Sequence, residues 1–248
     1  MKWVLFFLVA CLYASIGFGG GSGYLAILSF TELNHNHLRF IALACNILVV
    51  AYGSYQYIQS GYFKWKKVLP IVALSVPASF FGAQVMLNPS TFFFILGIAL
   101  LAAGILMIWQ LKNRNNNRSS LPKTGWMWQN TLIGGGIGFI SGMVGIGGGI
   151  FLSPLLFLTK WAEARVIAAT ASFFILVNSC AGILGLVMNQ QQVPSFKTLW
   201  PYLLAVLIGG IIGSRLSIKW LEPKWIKGFT AILVIFAAIR MLYKTSML

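Results

Sequence analysis

Apolar stretches of membrane-spanning length recur eight times in the 248 residues, approximately at 3–30, 38–59, 67–87, 91–111, 126–158, 164–188, 198–218 and 226–243. About 20 such residues in a helix cross the hydrocarbon core once. The pattern therefore predicts an all-α integral membrane protein of eight hydrophobic segments. Charge agrees with this, since 8% of residues are charged, 58% are hydrophobic, and the only acids are Glu32, Glu163 and Glu222. A soluble domain of this length needs roughly a quarter of its residues charged.

The net charge of +15 does not describe a nucleic-acid binder, because the basic residues are scattered between apolar runs and form no face. Lys64, Lys66 and Lys67, then Lys112, Arg114, Arg118 and Lys123, sit just outside hydrophobic segments, as cytoplasmic loops do. Cys11, Cys45 and Cys180 lie within apolar runs without paired spacing. They read as small packing residues, and no metal or other cofactor is expected. The start "MKWVLFFLVACLYAS" has the look of a secretory signal. The glycine cluster just downstream has a counterpart deep in the chain, so the start is read instead as the first membrane segment.

One long polar stretch, "LKNRNNNRSSLPKTG", divides the segments four and four. It gives a first membrane repeat at 1–111, a linker at 112–125 and a second repeat at 126–248. The halves match each other. Gly17, Gly19, Gly20 and Gly21 precede Gly145, Gly147, Gly148 and Gly149 by 128 positions; a shift of 126 pairs Arg39 with Arg165 and Ala42 with Ala168; a shift of 131 pairs Pro70 with Pro201 and Gly82 with Gly213. Such recurrence marks an internal duplication. Duplicated bundles with a site between the repeats are typical of secondary transporters.

"GFGGGSG" recurs as "GIGGGIF". Glycine weakens a helix, and unwound backbone at membrane depth persists only where protein or a watery cavity covers it. Two matching clusters thus predict two broken helices meeting near the midplane, with amide N–H groups and positive helix ends that attract an anion. The plainer reading is close helix packing, for which the GxxxG spacings of Gly19 with Gly23, Gly145 with Gly149, and Gly209 with Gly213 are suited. Segments 1 and 5 either cross as broken helices or re-enter. If all eight cross, the loops divide the Lys and Arg residues 11 to 7; if segments 1 and 5 re-enter, the division is 13 to 5 and the repeats are inverted. Re-entry obeys the positive-inside rule better.

The polar residues within the segments are Asn46, Gln84, Thr170, Ser172, Asn178, Ser179 and Arg215. Asn46 aligns with Ser172, Tyr52 with Asn178, and Gln84 with Arg215. The expected substrate site comprises Gly19, Gly20, Gly21, Asn46, Gln84, Gly147, Gly148, Gly149, Thr170, Ser172 and Arg215. Arg215 serves an anion if it lies within a span, or snorkels to headgroups. Arg39 and Arg165, near Glu32 and Glu163, either attract anions at the entrance or are interfacial charges that orient the second helix of each half, and the orienting role is the preferred reading. Trp109, Trp126, Trp128, Trp200, Trp220 and Trp225 are read as an interfacial belt. No segment carries an acid, so a carboxylate proton relay has nothing to build on.

"GIGGGIFLSPLL" and its degraded copy "GFGGGSGYLAIL", each followed by a basic residue and an Ala-rich helix, "RVIAATAS" and "RFIALACN", resemble the sulfite exporter TauE/SafE family. The resemblance covers nearly the whole chain. It implies a multi-pass bacterial inner-membrane permease for sulfite, sulfonates or related anions, working by alternating access at the repeat interface; a homodimer is compatible with it. One departure is Ala26, where the second copy has Pro154.

Two rival classes have less support. "GGSG" fits the GxSG of intramembrane serine proteases with Ser22 as nucleophile, but the histidines, His35 and His37, lie in a short loop. A structural subunit that merely packs in the membrane is the other. No Lys-Ser/Thr follows the glycines, which excludes a nucleotide loop.

Overall fold

The computed structural model describes residues 2–31, 33–112, 127–159, 161–189, 193–219 and 223–245. Among them the chain is helical with no strand: α1 (Lys2–Ala14), α2 (Gly21–Leu28), α3 (His35–Gln59), α4 (Trp65–Gln84), α5 (Pro89–Lys112), α6 (Met127–Val144), α7 (Gly149–Leu158), α8 (Ala164–Met188), α9 (Phe196–Lys219) and α10 (Pro223–Thr245). Five of these contain stretches long and apolar enough to cross a bilayer: His35–Gln59, Trp65–Gln84, Pro89–Trp109, Ala164–Met188 and Phe196–Arg215. Large apolar side chains such as Leu69, Phe81, Ile232, Phe236 and Ile239 face outward, as lipid requires. The protein is an all-helical, multi-pass membrane protein. The linker beyond Lys112, Glu32, Glu222, Trp126, Trp220 and the Trp225 side chain lie outside the described residues.

The apolar stretches at 3–30 and 126–158 each hold two helices. Between the members of each pair the backbone turns through glycines with positive φ: Gly17 (81°) and Gly20 (91°) in the first, Gly145 (80°), Gly147 (87°) and Gly148 (81°) in the second. That left-handed region suits a residue without Cβ, and it stops a right-handed helix. After its turn α2 folds back along α1. The Phe6 and Tyr24 rings stack with centres 4.8 Å apart, and the Tyr13 and Ser22 hydroxyls meet at 3.0 Å. In the same sense Leu152 and Leu156 of α7 share an apolar cluster with Ile137 of α6.

The tightest seam joins α4 to α6, which run in the same direction. Gly134, Gly138 and Gly142 lie against the carbonyls of Ile71, Ser75 and Ser79 in register, and a Cβ at Gly138 would stand 2.5 Å from the Ser75 oxygen. Lipid tails are as apolar as leucine, so such helices are held by contact and by weak Cα–H···O bonds, which only glycine allows at this range. The seam of α1 with α9 repeats the device, with Gly209 and Gly213 on the carbonyls of Phe7 and Cys11. The helices α3 and α8 run antiparallel, with Leu43 at Gly182 and Ser54 at Ser172; so do α5 and α10, with Gly97 at Leu242 and Gly104 at Ile235. The remaining contacts include α3 with α9, α4 with α8, α2 with α3 and α7 with α8. Exchanging α1–α5 for α6–α10 maps the set of helix pairings onto itself.

Cysteine placement corrects one expectation. Cys45 is buried and Cys11 half-buried, but Cys180 is exposed.

Candidate functional site

The two turns meet at Asn46 on α3. Its Nδ2 donates to the Ile146 carbonyl at 2.8 Å. A Cβ at Gly21 would lie 2.6 Å from Asn46 Nδ2 and from the Ile146 oxygen, one at Gly147 would lie 2.8 Å from Asn46 Nδ2 and 3.0 Å from Ser179 Oγ, and one at Gly19 would strike Asn46 Oδ1. Both returning helices start here. Their N-caps, Gly20 for α2 and Gly148 for α7, supply no side-chain hydrogen bond. The first-turn amides of a helix have no partner within it, so two sets of donors and two positive helix ends converge on this region.

Its side chains are unusually short of partners. Asn46 Oδ1, both amide atoms of Asn178, and the hydroxyls of Ser141, Ser179 and Tyr24 are buried without a hydrogen-bond partner. An orphaned buried polar group costs about 1–3 kcal/mol. Such a concentration calls for partners supplied by water or by a polar guest.

The expected site residues divide into two sets. Gly19, Gly21, Asn46 and Gly147 come together directly. Gly20 packs on the Tyr24 ring, Gly148 between Phe174, Ile137 and Ser141, and Gly149 on Ile175, so these glycines shape the turns. The others lie elsewhere. Thr170 Oγ1 donates to the Val166 carbonyl of its own helix, 2.8 Å away. Ser172 Oγ is held by Ser54 Oγ at 3.1 Å and the Val50 carbonyl at 3.4 Å. Gln84 ends α4, where its carbonyl accepts from Asn189. Arg215 is exposed, and its Nε reaches toward the Tyr52 hydroxyl at 3.4 Å.

One residue is placed differently from its reading in the sequence. Arg39 is no surface charge: it is 0% exposed, and its guanidinium grips the carbonyls of Ala83 and Gly142. Arg165, aligned with it, is exposed and bonded to the Tyr62 hydroxyl. The only signal in the sequence was the recurrence of arginine at that place in both halves, and recurrence carries no information about depth.

The arrangement gives no support to a protease. The Ser22 hydroxyl is paired with Tyr13, and the His35 ring packs against Phe92, 5.6 Å between centres. Replacing Ser22 by alanine is therefore expected to leave any flux the protein supports within about two-fold, while removing one hydrogen bond worth about 1 kcal/mol. Flux in liposomes and a thermal melt check this pair of outcomes.

A helical bundle whose long apolar helices enclose a buried, donor-rich turn region has the form of a membrane transporter. The sulfite exporter TauE/SafE family model matches residues 3–241, and the chain belongs to that family. It is similar to probable membrane transporter protein y4hK of Sinorhizobium fredii (strain NBRC 101917 / NGR234), 31% identical over 240 residues that cover 97% of this chain and 96% of the relative. It is also similar to probable membrane transporter protein YunE of Bacillus subtilis (strain 168), 24% identical over 257 residues covering 92% of each. No solved structure matches significantly.

Proposed function

We propose that this transporter moves a small anion across the bacterial inner membrane, with sulfite, sulfonates and related sulfur oxyanions as the substrate class. The convergence of two uncapped helix starts on Asn46 carries the reading. Backbone N–H groups at helix starts favour negative charge, and the chain's family name points to a sulfur oxyanion.

In this reading the halves are inverted repeats, with α1–α2 and α6–α7 as re-entrant hairpins. Three observations support it: α2 folds back on α1, the aligned helices α3 and α8 are antiparallel, and the helix pairings are unchanged when the halves exchange. Re-entry also gives the more uneven division of Lys and Arg, 13 to 5. The positive-inside rule then assigns the linker end to the cytoplasm and both termini to the opposite face. The anion is exposed to one side at a time as the repeats rock about the fixed site. A potential negative inside drives a monovalent anion outward by about 2.3 kcal/mol per 100 mV.

Purified protein in liposomes loaded with radiolabelled sulfite is the direct test. Release above that from protein-free liposomes, accelerated by an outward-driving potential, is the expected result. Release equal to the protein-free rate for sulfite and for methanesulfonate removes the reading, and leaves a structural subunit in its place.

A further inference from the structure

Arg39 is buried without a carboxylate. Its NH2 group donates to the Ala83 carbonyl at 2.8 Å and the Gly142 carbonyl at 3.0 Å. These oxygens belong to the last turns of α4 and α6, whose negative dipole ends offset part of the charge. That leaves Nε and NH1, which are buried and unpartnered. Together they carry three N–H bonds. Removing a guanidinium from water and leaving most of its donors idle is strongly unfavourable unless a counter-charge arrives.

Two of the neutral orphans, Ser141 and Ser179, lie at the same turn. Ser141 adjoins the Gly142 carbonyl that Arg39 holds, and its Cβ faces Gly148. Gly142 packs on the backbone of Ser79, and the Ser79 hydroxyl donates to the Asn178 carbonyl at 2.9 Å. Ser179 faces Gly147. The aligned places in the other half are already satisfied. Arg165 is outside with Tyr62, Tyr13 aligns with Ser141 and is bonded to Ser22, Tyr52 aligns with Asn178 and accepts from Gln56, and Gly53 aligns with Ser179. The α1–α2 turn keeps one unpartnered hydroxyl, that of Tyr24, and no charge.

From this asymmetry we propose that the site is one-sided: a single anion binds at the α6–α7 turn, with the Arg39 guanidinium as its counter-charge and Ser141 and Ser179 as neutral partners. The proposal rests on the anion-transport reading and deepens it. An anion with several acceptor oxygens can take a free N–H of the guanidinium and the serine hydroxyls at once, which a single halide centre does less well, so the site selects oxyanions over halides.

Calorimetric titration of the detergent-purified protein with sodium sulfite, and separately with sodium chloride, tests it. The unsubstituted protein is expected to bind about one sulfite per chain and to prefer it to chloride. Arg39→Gln is expected to weaken sulfite binding about 30-fold or more, as loss of a charge-assisted pair does. Arg39→Lys keeps the charge without the guanidinium's spread of donors, so it retains chloride binding and loses most of the preference for sulfite. Arg165→Gln stays within about two-fold. Should Arg39→Gln fail to fold, Ser179→Ala takes its place, with a loss of about five-fold as for one neutral hydrogen bond. Unchanged sulfite binding in Arg39→Gln, or in Ser179→Ala where it stands in, overturns the proposal, as does an equal loss in Arg165→Gln. If the unsubstituted protein binds neither anion, the transport reading falls first.

Discussion

A leucine at Gly142 is expected to leave almost no folded protein, whereas a leucine at Gly136 of the same helix is expected to accumulate normally. Gly136 has nothing within 4 Å of where its Cβ would stand, and it is exposed on the outer face. Gly142 is set against the backbone of Ser79, and a Cβ there would lie 2.8 Å from the Ser79 Cα. Overpacking usually costs about 1–3 kcal/mol because side chains give way. Here the obstacle is main chain, so the helices must part along the whole seam, and a total stability on the order of 10 kcal/mol does not absorb that. The same separation takes the Gly142 carbonyl away from Arg39. The monodisperse fraction on size-exclusion chromatography, compared between the two variants, decides the matter. Equal recovery would mean that the seam is not what holds α4 to α6.

The second large effect is on transport. Gly147→Val is expected to cut transport of the proposed anion by at least about 100-fold in protein that still folds. Its φ of 87° is closed to a β-branched residue, so the turn must rearrange where Asn46 and Ser179 face it. Strain alone costs about 1–2 kcal/mol. Gly61→Ala supplies the control, because Gly61 has φ 74° and no neighbour within 4 Å. Comparable melting temperatures with very different flux would place the Gly147 effect in the site. Parallel losses of flux in both variants would assign it to strain.

The membrane class, the helical fold and the family were legible because they rest on composition, apolar length and a recurring glycine pattern. These signals survive without knowledge of contacts. The location of individual polar groups was less legible. Asn46 and Ser172 align, yet Asn46 sits between the turns while Ser172 is tied to Ser54 and Val50. Arg215 stands in an apolar run and still faces outward. Arg39 follows a polar loop and is nonetheless sealed inside. Which way a long side chain turns depends on the neighbouring helices, and here most of those neighbours come from the opposite half of the chain, Ala83 beside Arg39 being the exception. Periodicity within one segment cannot report on them. The serines and asparagines around α6–α7 were visible as polar residues in apolar helices, but their lack of partners is a property of the assembled bundle.

Because α1 lies on α9 and α4 on α6, neither half can complete its own packing. The seam partner of Phe7 is Gly209, which is synthesised about 200 residues later. At 5–20 residues per second the first hairpin waits on the order of 10–40 s for it. During biogenesis the N-terminal helices must therefore be sheltered, by the insertion machinery or by lipid, with the Cys11 face that Gly213 will later cover still bare. Ribosome-nascent chains halted before α9 are the state in which that face is open to capture by quality control.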